Sequence, residues 1–187
     1  VPSNFRFADA DTRLKAEIAG GVDTRLCYAI EDLVEEMAKE GDDRFDYIII
    51  DCGPRLDMTT TNAIVALEAG NNASHIIIPI KVDGFAIAGL SQTIDTINRT
   101  AKERRRLPQH WKILQTMIER KTSAYKVGCE LLKEAIPNAE YFNTKIEKST
   151  VVPEASLAME PLITYAPDSK PGMQYRLLAQ EIEEMNA

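Results

Sequence analysis

The stretch FDYIIIDCGPRLDMTTTN, residues 45–62, decides the fold that we predict for this chain. Its four apolar residues, 47–50, follow one another without polar alternation, which is typical of a strand buried on both faces of a parallel sheet. The run ends in the carboxylate of Asp51, and open α/β sheets bind ligands beside the carboxyl ends of their strands. An aspartate in that place can hold Mg²⁺, directly or through water. The pattern is short, so a strand end that Asp51 merely caps is an equal alternative.

Composition and charge argue against several classes of protein. The 187 residues, 44% of them hydrophobic, suffice for one sizeable core and argue against disorder. A formal net charge of −7 argues against broad coating of nucleic acid and leaves room for a local basic patch. The three cysteines form no Cys-x-x-Cys pair, so a disulfide framework or a zinc site is not expected. No apolar run has membrane-spanning length, and we expect a cytoplasmic protein.

Apolar runs elsewhere in the chain predict further strands at residues 75–82, 111–118 and 141–146. An extended piece is expected at residues 161–165. Because helical patterns separate these strands and the links are short, the chain is expected to form βαβ units. We therefore predict one α/β domain over residues 1–187, with a parallel sheet that has helices on both faces.

Apolar residues recur at helical spacing in the segments between the predicted strands. The helix that begins after Thr122 or Ser123 should turn Val127, Leu131 and Ala135 toward the core. The other helices are expected at residues 9–19, 23–39, 57–69, 85–105 and 168–185, the last with Tyr175, Leu178, Ile182 and Met185 on one face.

Four stretches, in order, resemble the ParA/Soj family of partitioning ATPases, which belongs to the deviant Walker class of P-loop proteins. Residues 46–67 resemble its Walker B and switch II segment, and residues 75–97 resemble a strand followed by a Phe-Ala-x-x-Gly-Leu helix start. Residues 116–125 are similar to Thr-Met-x-x-Arg-Arg-Thr-Ser, and residues 145–181 to a Glu-Ala-Pro-Ser…Tyr-x-Pro-x-Ser pattern. The likeness covers nearly everything from about Asp43 onward. It implies a P-loop NTPase-like sheet.

The phosphate-binding loop of that family does not occur in this sequence. No Gly-x-x-x-x-Gly-Lys is present, and this loop supplies the N–H groups and lysines that bind the phosphates. We therefore expect the C-terminal portion of a ParA-type ATPase, without the N-terminal strand and inactive alone. Because the likeness begins in the middle of that fold, we favour truncation of a longer protein over loss of the segment or its supply by another chain.

The resemblance implies that ATP and Mg²⁺ bind at particular residues. Asp51 would organise Mg²⁺, and Gly53 with Pro54 would lie beside the γ-phosphate, although a glycine needed only for the turn is the alternative. At two later strand ends the family contacts adenine.

The residues at those two strand ends are Met117, Ile146 and Glu147. The family usually has proline where this chain has Glu147, so a plain strand end is an equal alternative for this segment.

Basic side chains match or neighbour positions where the family binds DNA without sequence preference. Fixed cations bind the phosphate backbone without reading bases. Scattered surface charge is the equal alternative. The residues are Arg120, Lys121, Lys145 and Lys148.

The resemblance implies a cytoplasmic, nucleoid-associated ATPase that partitions plasmid or chromosomal DNA. ATP and Mg²⁺ would assemble a homodimer that binds DNA, and a ParB-like centromere-binding protein would stimulate hydrolysis. A MinD-like membrane ATPase is disfavoured, because residues 180–185 are acidic where a membrane-binding helix would be basic. The remaining hypothesis is a non-catalytic interaction module that pairs with an intact ATPase, and the missing loop favours it.

Overall fold

The computed structural model of the protein describes residues 21–40, 45–53, 57–67, 74–103 and 110–186. The chain divides into two compact units. One contains residues 1–74 and 95–109, and the other contains residues 75–94 and 110–187. The helix predicted at residues 9–19 lies outside the described residues, as does Pro54.

Two helices of the first unit pack on each other, α1 (Arg25–Glu40) and α2 (Met58–Ala66). The buried side chain of Asn62 joins them. Its amide donates a hydrogen bond to the carbonyl of Val22 at 2.9 Å, and its oxygen accepts one from the N–H of Leu26 at 3.3 Å. A buried amide with both ends bonded fixes how the start of α1 meets α2.

The apolar run at residues 47–50 does not form the predicted strand. Residues 45–53 are described, and none of them belongs to a strand. Ile49 is 90% exposed, and Tyr47 and Ile48 are each 49% exposed, so the prediction of burial on both faces is wrong. Such burial requires a strand on each edge and packed layers on each face. None of the residues that the structure describes forms a ladder with this run.

A parallel pair of strands forms the centre of the second unit. β1 (His75–Lys81) and β2 (His110–Thr116) run in register, from His75 opposite His110 to Lys81 opposite Thr116. In the chain they are separated by the helix α3 (Gly84–Glu103), because parallel neighbours require a crossover. This arrangement confirms the predicted α/β class with a parallel sheet.

A third extended segment runs parallel to β2 without forming a full ladder. Ile118 donates its N–H to the carbonyl of Ile146 and accepts from the N–H of Lys148, both at 3.1 Å. Nearer the other end, the carbonyl of Ile113 accepts from the N–H of Phe142 at 3.0 Å. The last predicted strand is therefore present as isolated bridges.

Within residues 110–186, four helices follow β2. They are α4 (Ser123–Ala135), α5 (Val151–Leu157), α6 (Leu162–Tyr165) and α7 (Lys170–Asn186). The short α6 replaces the extended piece predicted at residues 161–165. Among the described residues, no helix has the length and apolar character needed to cross a bilayer.

The buried face of α4 lies one residue away from the predicted one. Leu132 is 1% exposed and Gly128 is buried, whereas Val127 is 53% and Leu131 46% exposed. Ala135 is exposed as well, so the predicted face is wrong. The reason is that α4 approaches the rest of the unit through a residue without a side chain, which an apolar pattern cannot reveal.

The core of the second unit combines β2, the third extended segment and α7. Burial of each large apolar side chain contributes roughly 1.5–3 kcal/mol to stability. On α7 the predicted face is confirmed for three residues, whereas Tyr175 is 40% exposed. The cluster contains Leu114, Phe142, Ile146 and Leu178, with Ile182 and Met185 packed against it.

Candidate nucleotide and nucleic-acid site

Asp51 lies on the surface of the first unit, where the apolar run ends. Both Asp51 and Gly53 are exposed. A Cβ placed on Gly53 would meet no atom of the described residues within 4 Å, so this part of the structure leaves the backbone open to a ligand. An exposed carboxylate beside an open backbone leaves room for a hydrated cation together with a phosphate.

A second carboxylate, Asp57, lies in the same region as Asp51. Desolvation raises the pKa of the Cys52 thiol, and the charges of Asp51 and Asp57 raise it further. Asp57 uses its carboxylate to cap α2, accepting hydrogen bonds from the N–H groups of Thr59 at 3.1 Å and Thr60 at 3.2 Å.

The residues present fit Mg²⁺ only if waters and phosphate oxygens supply the other ligands. Among the residues that the structure describes, no group of three or more His, Cys, Asp or Glu side chains could enclose a metal ion. Mg²⁺ does not need such a group, because it usually keeps several waters and binds one or two carboxylates plus phosphate oxygens. Asp51 offers a ligand of that kind.

Met117, Ile146 and Glu147 lie near one another at the carboxyl end of β2, in the second unit. Ile118, next to Met117, pairs with Glu147 in a parallel bridge. Met117 is 59% exposed and has φ of +50°, a conformation that residues with a side chain rarely adopt. Ile146 is 3% exposed, so its side chain belongs to the core and is not open to a ligand.

The carboxylate of Glu147 holds two cations. Arg120 Nε lies 2.9 Å from one oxygen and Lys170 Nζ lies 2.6 Å from the other. The hydrogen bond from Lys170, with the charges of Lys170 and Arg120, lowers the pKa of Glu147. The N–H of Glu147 also donates to Gln174 Oε1 at 2.9 Å, so this residue ties the strand end to the first turns of α7.

Two more of the predicted DNA contacts have partners inside the protein. Lys148 Nζ lies 2.9 Å from Glu119 Oε1, and Lys145 Nζ donates to the hydroxyl of Tyr125 at 3.4 Å. Burial and a hydrogen bond with Cys129 raise the pKa of Tyr125 to about 12, so the hydroxyl stays neutral.

The structure places these cations around the carboxyl end of β2. With them lies Lys170, which the sequence reasoning missed. Lys170 stands 23 residues beyond Glu147 in the chain, and no local motif links the two.

A cavity of about 210 Å³ opens at the opposite end of the strand pair. His75 and His110, the first residues of β1 and β2, line it together with Lys112, Phe142 and Met185. None of the predicted site residues lines this cavity. It lies at the amino ends of the strands, whereas ligands of open α/β sheets bind beside the carboxyl ends.

A family model described as an AAA domain matches residues 1–109, more than half of the chain. The chain belongs to this AAA domain family. The match includes the first 42 residues, which the four stretches quoted above do not contain.

Curated relatives confirm the resemblance to the ParA/Soj family. The sporulation initiation inhibitor protein Soj of Bacillus subtilis is 30% identical over 97% of this chain and 65% of its own length. The chromosome partitioning protein ParA of Caulobacter vibrioides is 27% identical over 94% of the chain and 62% of its own length. The uncharacterized protein Rv1708 of Mycobacterium tuberculosis is 30% identical over 97% of the chain and 52% of its own length. The chain thus spans between half and two thirds of the length of these relatives.

Proposed function

We propose that this chain is part of a ParA-type ATPase that partitions plasmid or chromosomal DNA. The observation that carries the proposal is the likeness to Soj and ParA along nearly the whole chain. The parallel strand pair and the exposed carboxylate of Asp51 agree with it.

In this proposal the chain supplies the metal-binding and base-binding parts of an ATP site. Asp51 binds Mg²⁺, which neutralises charge on the phosphates when it is bound. Gly53, whose backbone is open in the described part of the unit, and Pro54 would contact the γ-phosphate. Met117 contacts the base with its exposed side chain, while Ile146 and Glu147 shape the strand end beneath it.

The proposal also includes a homodimer, a ParB-like partner and DNA. ATP assembles the homodimer in the cytoplasm, at the nucleoid, and the dimer binds DNA without sequence preference. On a chain with net charge −7, a surface that binds DNA phosphates has to be a local group of cations. The cations around the carboxyl end of β2 form such a group, which supports the DNA contact.

Magnesium-dependent ATP hydrolysis by the complete gene product tests the proposal. Asp51→Asn should lower turnover by about 100-fold or more, the size of effect seen when one charge-stabilising group is removed. Asp46→Asn is the matched control, since Asp46 is also exposed and precedes the same apolar run. Turnover that is equal in the two variants would refute the role of Asp51.

A further inference from the structure

Three cations pair with two carboxylates at the carboxyl end of β2 and in the adjoining turns of the second unit, and two more lysines lie in the same segments of the chain. The group is locally positive, by five charges against two, in a chain whose net charge is −7. We call it the basic cluster. Its members are Arg120, Lys121, Lys145, Lys148 and Lys170, with Glu119 and Glu147.

Three cations of the basic cluster are held by its own carboxylates. Glu147 holds Arg120 and Lys170 at 2.9 and 2.6 Å, and Glu119 holds Lys148 at 2.9 Å. A cation in an ion pair cannot neutralise a phosphate until it leaves its partner. The carboxylates of Glu147 and Glu119 therefore neutralise part of the positive charge on the surface that we propose for DNA.

We propose that Glu147 and Glu119 compete with DNA phosphates for these cations, and that Lys170 is a further DNA-contacting residue. The inference rests on the proposed DNA binding and adds its regulation. Glu147 is the principal competitor, because it withholds two cations, whereas Glu119 withholds one.

The geometry allows the exchange of partners. The side chains of Arg120, Lys170 and Lys148 are each more than half exposed, and exposed ion pairs are weak. Glu147 is anchored instead: its side chain is only 20% exposed, and its N–H is bonded to Gln174. The long cationic side chains can swing to a phosphate while the carboxylate stays in place.

The inference is tested with Glu147→Gln in the complete gene product. Binding to a random-sequence DNA duplex is measured with Mg·ATP present. Freeing two cations should tighten binding about 3- to 10-fold at fixed salt. The slope of log K against log salt should become more negative by about 1 to 2, since each neutralised phosphate contributes about 0.9. Glu119→Gln, which frees one cation, should change the slope by about half as much and serves as a second, independent variant.

The control is Glu183→Gln, which removes the same charge from an exposed residue of α7. Glu183 lies 13 residues beyond Lys170, which is about 20 Å along the helix axis. We expect less than about a twofold effect on DNA affinity and no change in the salt slope.

A double-mutant cycle tests Lys170 itself. Lys170→Ala should weaken DNA binding more in the Glu147→Gln background than in the wild type, because only there is the lysine free at the outset. A lysine with a purely structural role would give the same loss in both backgrounds.

The outcomes separate this inference from the proposed function. If Lys121→Ala weakens DNA binding while Glu147→Gln and Glu119→Gln behave like Glu183→Gln, the competition is overturned and DNA binding stands. If neither the wild type nor any variant binds the duplex, both the competition and the proposed DNA binding are overturned.

Discussion

The contact between α4 and the end of β1 depends on the absence of one methyl group. A Cβ on Gly128 would lie 2.8 Å from Val82 Cγ1 and 3.1 Å from the carbonyl oxygen of Val82. Unstrained contacts between carbon atoms are about 3.5–4.0 Å long. The valine methyl can rotate away, but the carbonyl belongs to the backbone that follows β1, so α4 itself has to move. Gly128→Ala should therefore destabilise the packing of α4.

The magnitude follows from two opposed effects. Overpacking of a filled contact costs about 1–3 kcal/mol. Replacing glycine by alanine inside a helix stabilises by about 1 kcal/mol, which offsets part of this cost. Gly89→Ala isolates the second effect, because Gly89 is exposed on α3 and its Cβ would meet no atom within 4 Å in the part of the chain that the structure describes. The two variants should differ in unfolding free energy by about 1–3 kcal/mol, with Gly128→Ala the less stable.

Thermal unfolding followed by circular dichroism measures the difference. For a chain of this size 1 kcal/mol corresponds to about 2–4 °C in Tm. Gly89→Ala should raise Tm above the wild type, and Gly128→Ala should fall below Gly89→Ala by about 2–12 °C. If Gly128→Ala is as stable as Gly89→Ala, α4 does not approach Val82 as closely as described.

Two further predictions concern hydrogen bonds that position the site. Thr122→Ala should cost about 1 kcal/mol in urea unfolding, because Thr122 Oγ1 accepts the N–H of Tyr125 at 3.2 Å as the N-cap of α4, and Thr122→Ser should restore most of it. Glu181→Gln should cost about 1–2 kcal/mol at pH 7, since its carboxylate accepts the N–H groups of Asn143 at 2.7 Å and Thr144 at 2.9 Å. Although burial raises the pKa of Glu181, these hydrogen bonds lower it below the ordinary 4.5, so the stabilisation is complete above pH 4.5 and is lost as pH falls through the lowered value. The Tm difference between Glu181→Gln and the wild type should therefore shrink between pH 7 and pH 3, and a constant difference would contradict the assignment.

Features that depend on neighbours in the chain were predictable. Helices were expected to begin at Asp57 and after Thr122 or Ser123. The side chains of Asp57 and Thr122 both accept N–H groups from the first turn of these helices. Apolar runs with β-branched residues also predicted β1 and β2. These two strands pair with each other within one unit, so neither depends on a strand outside it.

Features that depend on a distant partner were not predictable. The run at residues 47–50 has the composition of a buried strand, but composition expresses a preference for burial and does not supply the flanking strands. The buried face of α4 was predicted wrongly because it includes Gly128, where even a Cβ would lie too close to Val82. Four cations of the basic cluster were predicted from the sequence. Lys170 and its ion pair with Glu147 were not, because Lys170 comes from the start of α7, 23 residues further along the chain.

The Mg²⁺ dependence of ATP binding to the complete gene product decides whether Asp51 is a metal ligand. A fluorescent ATP analogue is titrated with and without Mg²⁺ into the wild type, Asp51→Asn and the control Asp46→Asn. Because Asp51 is the proposed ligand, Mg²⁺ should tighten binding to the wild type and the control and should have no effect on Asp51→Asn. An equal gain from Mg²⁺ in all three proteins would contradict this role of Asp51.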